Sequence, residues 1–135
     1  MQHVTVFAAP LVLGALILAG CQTTQEAAVP PADPAQWLGT WSGAWLGGGQ
    51  CSSTITVKEV AGITAIAHYT WGSGCGGSNP GQHTDRNASL SGDTLRVSLP
   101  GGSGASYVMR DDGSLDGDWW SRGRQYTASA VFRPQ

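Results

Sequence analysis

Residues 52–71 read SSTITVKEVAGITAIAHYTW, and apolar and polar side chains alternate along them with a period of two. Before Ala61-Gly62, Ile55 and Val57 interleave with Thr54, Thr56 and Lys58; after it, Ile63, Ala65, Ala67, Tyr69 and Trp71 share one face. Successive side chains of a strand point to opposite faces, so this spacing predicts two half-buried strands, 52–60 and 63–71, joined at Ala61-Gly62.

The pattern continues outward in both directions. Upstream, Trp37 to Leu46 puts Trp37, Gly39, Trp41, Gly43 and Trp45 on one face and Leu38, Thr40, Ser42 and Ala44 on the other. Downstream, a loop over Gly72–Gln82 precedes a less periodic strand, His83–Leu90, and Ser91-Gly92-Asp93 turns into a strand with Leu95, Val97 and Leu99 inward. Pro100 to Ser103 leads to a sixth strand, Gly104–Arg110. Asp111-Asp112-Gly113 is a hairpin turn, because Asp and Gly adopt the left-handed conformations it needs. Ser114–Ser121 forms the seventh strand, and Arg122-Gly123 turns into an eighth that ends at Phe132. Eight short strands with no room for a crossover helix predict an all-β, antiparallel, up-and-down barrel. Only 12 % of residues are charged while glycine numbers 20, a balance that suits turns and strands better than helices.

The chain begins differently. Residues 4–20 (VTVFAAPLVLGALILAG) carry no charge and are too short and too rich in Ala and Gly for a comfortable membrane span, so they read as the apolar region of a signal peptide. The preceding Met1-Gln2-His3 lacks the Lys or Arg usual there. Leu18-Ala19-Gly20-Cys21 resembles the lipobox of bacterial lipoproteins, which implies cleavage before Cys21 and acylation of its thiol. Gln22 in place of Asp implies, by the same resemblance, sorting to the outer membrane, facing the periplasm. Residues 22–36 (QTTQEAAVPPADPAQ) have three prolines and no apolar periodicity, the composition of a flexible tether. The expected organisation is therefore a signal peptide over 1–20, a lipidated cysteine and tether over 21–36, and a barrel domain over 37–135.

With Cys21 lipidated, Cys51 and Cys75 remain. Outside the cytoplasm such a pair is expected to form a disulfide, the alternative being two buried thiols. The predicted hairpin agrees, since its register places residue 51 opposite residue 72. All seven Lys and Arg and all nine Asp and Glu lie beyond Cys21, which leaves a mildly acidic protein without the basic patch that nucleic acid requires.

Residues able to do chemistry are sparse. His68 falls on the face opposite Tyr69, and His83-x-Asp85 offers two ligands where a zinc site needs at least three, so no metal and no cofactor is expected. Asp116 and Asp118 share a strand face about 7 Å apart, within the range of glycosidase carboxylates, though turn and edge solubility accounts for them more simply. No nucleophile elbow or phosphate-binding glycine loop is present, and Gly47-Gly48-Gly49 is followed by no helix; no catalytic residue is assigned and the expected protein is not an enzyme. The distinctive feature is aromatic. Six Trp occur in the chain, and Trp41, Trp45, Tyr69 and Trp71, with Trp119 and Trp120, are the candidate ligand-binding residues. Two readings stay open for them, a pocket for an apolar or glycan ligand and simple filling of a narrow barrel. Trp119 and Trp120 must face opposite ways, so one of them is expected to be exposed.

Two further resemblances bear on this. Leu38-Gly39-Thr40-Trp41 resembles the first strand of lipocalin-like barrels, whose Gly-x-Trp closes one end. The span from Trp37 to Pro134, with Ala65-x-x-x-Tyr69-x-Trp71-Gly72 and Asp112-Gly113-Ser114-Leu115-x-Gly117, is similar to small secreted bacterial domains without an assigned activity. The terminal helices of lipocalins have no counterpart. Ser103-Gly104-Ala105-Ser106-Tyr107 and Trp120-Ser121-Arg122-Gly123 are similar to motifs of membrane-bound inhibitors of c-type lysozyme. That resemblance implies that Ser103 and Arg122 would meet the catalytic carboxylates of a lysozyme partner. The expected function is a lipid-anchored envelope binding module for a small apolar or glycan ligand or an envelope partner, with lysozyme inhibition as the alternative.

Overall fold

The computed structural model describes residues 26–45, 51–75 and 79–135. The expected signal peptide, Cys21, the Gly47–Gly49 run and the Leu46 end of the first strand lie outside the described residues. Eight strands, β1 (Gly39–Trp45), β2 (Cys51–Ala61), β3 (Thr64–Trp71), β4 (Gly81–Ser91), β5 (Thr94–Ser98), β6 (Gly104–Met109), β7 (Leu115–Trp120) and β8 (Thr127–Pro134), follow one another around a closed barrel. Every neighbouring pair is antiparallel, and β1 closes on β8 through Trp41–Pro134 and Ser42–Arg133. The eight-stranded up-and-down barrel read from alternation is therefore the fold. Closure leaves no edge strand open to association.

The interior is built from the alternating positions. Ile55, Val57, Ala65, Ala67, Tyr69, Leu90, Leu95, Val97, Tyr107, Leu115 and Phe132 are all buried. At its centre Trp45 meets Phe132 edge-on at 4.9 Å, and Tyr107 lies perpendicular to Phe132 at 5.3 Å. Such edge-to-face pairs set the negative ring face against the positive ring edge. Room for them comes from Gly117, where a Cβ would stand 2.9 Å from both Trp45 Cη2 and Phe132 Cε2.

Three local expectations are corrected. The turn between β2 and β3 is Gly62-Ile63, one residue later than Ala61-Gly62, because Gly62 takes the left-handed φ of 60° and Ala61 pairs with Thr64. Ile63 is consequently 41 % exposed rather than inward. A register shift between Val57 and Glu59 returns the strand to phase, so that Ile55 and Val57 keep their inward places. Ser53 then pairs with Trp71, and position 51 falls beside the loop after Trp71. Cys51 and Cys75 are joined there as a disulfide with a Cα–Cα distance of 4.6 Å.

The second correction concerns Trp37, which precedes β1 in a turn of 3-10 helix over Pro34–Trp37. Asp33 accepts from Ala35 N at 3.0 Å and Pro34 occupies the first helical position, where its missing N–H costs nothing. This turn swings Trp37 under the barrel, where it is fully buried 6.5 Å from Trp41. The third concerns the tether expected to continue to residue 36. Gly92 N donates to Val29 O at 2.7 Å and Pro31 is buried, so from Val29 onward the chain is docked on the barrel.

Candidate functional site

The up-and-down path sends alternate connections to opposite ends. The turns after β2, β4 and β6 gather at one end with Val29 and Trp37, and the C-terminal ends of β1, β3, β5 and β7 reach the other. The first end is plugged: Trp37 fills it, and Trp41 Nε1 donates to Gly113 O at 2.9 Å. The second is a mouth holding a cavity of about 850 Å³, a volume within the range of small-ligand pockets.

The inner wall of the cavity is made of the buried Trp45, Tyr69, Leu99 and Cys51, with the half-buried Cys75 bridged to Cys51. β1 and β3 both reach the mouth at their C-terminal ends, which brings Trp45 and Tyr69 together. Trp45 Nε1 donates to the Tyr69 hydroxyl at 3.0 Å. Burial pushes the Tyr69 pKa up, only partly opposed by the hydroxyl neighbours Ser53 and Trp45, so Tyr69 is a neutral phenol at physiological pH. Above it, Trp71 lies against Gly81, where a Cβ would stand 2.5 Å from the indole, and its Nε1 donates to Asn79 O at 2.8 Å. His83 packs 4.8 Å from the Trp71 ring. Partial burial first, and the Arg86 charge second, hold the His83 pKa below its ordinary value. The lip is completed by Ser103, Trp119, Gln125, Tyr126 and Thr127, with Tyr126 71 % exposed.

Of the aromatic residues singled out in the sequence, Trp45, Tyr69, Trp71 and Trp119 meet on this cavity. Trp41 does not; it belongs to the plugged end. Trp120 points out of the barrel, where its ring covers Gly104 and lies 4.6 Å below the Arg124 guanidinium. Neither Trp119 nor Trp120 is exposed. Both are half-buried, the one by the cavity wall and the other by Gly104 and Arg124. Ser103 sits at the lip with its Oγ donating to Pro100 O at 3.1 Å, and Arg122 is exposed beside Gly102, so the loops bearing them adjoin. Tyr107 stands apart from both, fully buried, its hydroxyl without a partner among the described residues.

The carboxylates are engaged on the outer surface. Arg110 Nε donates to Asp116 Oδ2 at 2.7 Å, Asp118 accepts from the Ser129 hydroxyl, and Asp85 accepts from Lys58 Nζ at 2.7 Å. Asp112 accepts from the backbone and hydroxyl of Ser114, which holds its carboxyl below the usual carboxylate range. None of these acids lines the cavity. Among the described residues no three His, Cys, Asp or Glu side chains converge as metal ligands would. His68 stays on the outer face opposite Thr56.

Alternation finds wall residues but misses those of the lip. Leu99 on the wall follows the alternation of Leu95 and Val97, whereas His83, Gln125, Tyr126 and Thr127 reach the cavity from strand ends and a loop, where no period operates. Their signal was topological: each belongs to an odd-numbered connection or its flank. Comparisons with family models, with curated proteins and with solved structures return no match for this chain, so its fold and site are read from its own residues.

Proposed function

We propose that this protein is a non-enzymatic lipoprotein of the cell envelope whose barrel mouth binds a small ligand with an apolar or glycan face. In this reading residues 1–20 are removed, Cys21 is acylated, and the lipocalin-like barrel hangs from the outer membrane into the periplasm. The lipobox-like Leu18-Ala19-Gly20-Cys21 supports the anchor, and the Cys51–Cys75 bridge agrees with an oxidising compartment. The observation that carries the binding role is the mouth cavity itself, with Trp45, Tyr69, Trp71 and Trp119 on its wall. Aromatic rings give large contact area for little conformational entropy, and here they are pre-positioned by hydrogen bonds and packing.

Two experiments test the two halves. Labelled palmitate is expected on the wild-type protein in cells and absent from Cys21→Ser; equal labelling of both would remove the anchor. Titration with a panel of lipids and glycans is expected to change the tryptophan fluorescence of the wild-type protein for at least one class. No response to any class would remove the binding role.

One observation favours a second reading. Ser103 and Arg122 ride on adjoining loops of the same lip, an arrangement compatible with insertion into the cleft of a c-type lysozyme and charge-assisted pairing of Arg122 with its carboxylates. Tyr107, being buried, would then act only as scaffold. Inhibition of c-type lysozyme that is lost in Arg122→Ala is the expected result of that reading, and full lysozyme activity at micromolar protein rejects it.

A further inference from the structure

The chemistry of the mouth narrows the ligand class, on the footing of the binding role proposed above. We infer that the cavity takes an uncharged amphiphile, whose apolar body lies against Trp45, Tyr69 and Trp71 and whose hydroxyl or carbonyl group stays at the lip beside Trp119, Gln125 and Thr127.

Charge is the first constraint. Among the described residues no Asp, Glu, Lys or Arg lines the cavity. The connecting segments at residues 46–50 (LGGGQ) and 76–78 (GGS) contain no ionisable side chain. The two arginines of the β7–β8 loop are turned elsewhere, Arg122 with its aliphatic carbons on Gly102 and Arg124 over the outer Trp120 ring. Tyr69 and His83, the titratable side chains on the wall, are both held toward their neutral forms by loss of solvent. A carboxylate or ammonium drawn in here would give up water and meet no counter-charge on the wall among the described residues, the Arg86 charge that acts on His83 lying outside that wall; this is the costly case of burial.

Hydrogen bonding is the second constraint, and it separates an amphiphile from a sugar. A glycan carries hydroxyls along its whole length and needs partners at the depth of the pocket as well as at its rim. The indole N–H groups of Trp45 and Trp71 already donate to Tyr69 and Asn79. Of the other wall groups, Leu99, Cys51 and Cys75 have nothing comparable to offer, and the Tyr69 hydroxyl, which accepts from Trp45, and the His83 ring are too few polar groups for the hydroxyls of a sugar. The polar groups at the lip are different. Among the described residues the Trp119 indole and the side chains of Gln125 and Thr127 make no hydrogen bond to protein, so they can serve a single polar end of the ligand. A gradient from apolar wall to unspent polar lip fits a molecule polar at one end only.

The test uses the full chain with Cys21→Ser, so that no acyl group of its own competes for the mouth, and calorimetric titration with octan-1-ol, octanoate and maltotriose at about pH 7.5, where the acid is ionised. Octanol is expected to bind at least about tenfold more tightly than octanoate, and maltotriose to give no heat. Trp71→Ala is expected to weaken octanol by about tenfold or more with an unchanged far-ultraviolet spectrum, while Val131→Thr on the outer wall leaves it unaltered. Gln125→Lys, an exposed change that no core packing opposes, is expected to bring octanoate up to or past octanol. Octanoate equal to or tighter than octanol in the unmodified lip, or binding of maltotriose, overturns the ligand class and leaves the cavity's binding role standing. Failure of all three probes to bind overturns the class and counts against the binding role as well.

Discussion

The two ends of this barrel are made from the same strands by the same alternation, yet one is filled and the other is open. At the plugged end Trp37 is fully buried and Trp41 is locked to Gly113 by its indole N–H. The turns there are short, and the docked stretch from Val29 to Trp37 adds an extra layer. At the mouth the connections are longer, a disulfide joins packing and hydrogen bonds in holding the wall, and the aromatic rings surround space. The difference teaches that a Trp-rich inward face has no single meaning. Where both ring faces find protein it is core, as at Trp37, which is fully buried although its indole N–H has no partner among the described residues; where the strand ends leave one face open, as at Trp71, it becomes a binding wall even with its N–H donated to protein. Stability should therefore reside at one end and recognition at the other.

The largest effect expected from this division is at the plug. Trp37→Ala removes a fully buried ring with nothing able to collapse into its place, and is expected to cost about 3–5 kcal/mol by urea unfolding while leaving ligand affinity at the mouth nearly unchanged. Comparable loss of affinity and stability in this variant would break the division. Next comes the bridge. Replacing Cys51 and Cys75 together by Ser releases a loop of 24 residues' separation and is expected to cost about 3 kcal/mol in the chain-entropy model. Because the bridge also lines the cavity, ligand affinity should fall with it.

A pair of glycine substitutions sharpens the contrast. Gly117→Ala drives a methyl to 2.9 Å from Trp45 and Phe132 in the packed interior, so about 1–3 kcal/mol of destabilisation is expected. Gly81→Ala pushes instead on Trp71, a half-buried ring at the mouth that can swing toward solvent. Its expected signature is weakened ligand binding with a smaller loss of stability, and the reverse order would contradict the assignment of Trp71 to the site.

The smallest effect has a favourable sign. The Tyr107 hydroxyl is buried without a partner among the described residues, and burial, together with the nearby Tyr69, raises its pKa well above the ordinary tyrosine value. A phenol whose pKa is raised on folding adds stability that is complete below pH about 10 and is lost as the pH climbs from there toward the folded value. Tyr107→Phe is therefore expected to unfold about 1 kcal/mol later in urea at neutral pH and to show a shallower decline in stability above pH about 10. A destabilised Phe variant would mean that the hydroxyl has a partner in solution.

How much of this was legible in the sequence follows from where period and topology act. Alternation in Ile55, Val57, Ala65, Ala67 and Tyr69 is a direct consequence of strand geometry, and it placed those residues correctly without any knowledge of the barrel. Ile63 went astray because the turn slid by one residue to give Gly62 its left-handed conformation, and the shift at Val57–Glu59 then hid the slip from the rest of the strand. Trp37 looked like one more inward strand residue; only the Asp33-Pro34 cap, a short-range signal inside a segment read as tether, marks the helical turn that carries it beneath the barrel. Trp41 and Trp45 share a face and a strand, so sequence periodicity could not tell which of them would see the cavity. Position along the strand decided that, since four residues separate the plugged end from the mouth.

The central claim can be tested through the indole N–H signals of the tryptophans in a heteronuclear NMR titration of the Cys21→Ser chain with octan-1-ol. The expected result is movement of the Trp45, Trp71 and Trp119 signals together with stillness of Trp37, Trp41 and Trp120. Movement of Trp37 and Trp41 with the mouth residues silent would contradict it, placing the ligand at the end that the fold describes as closed.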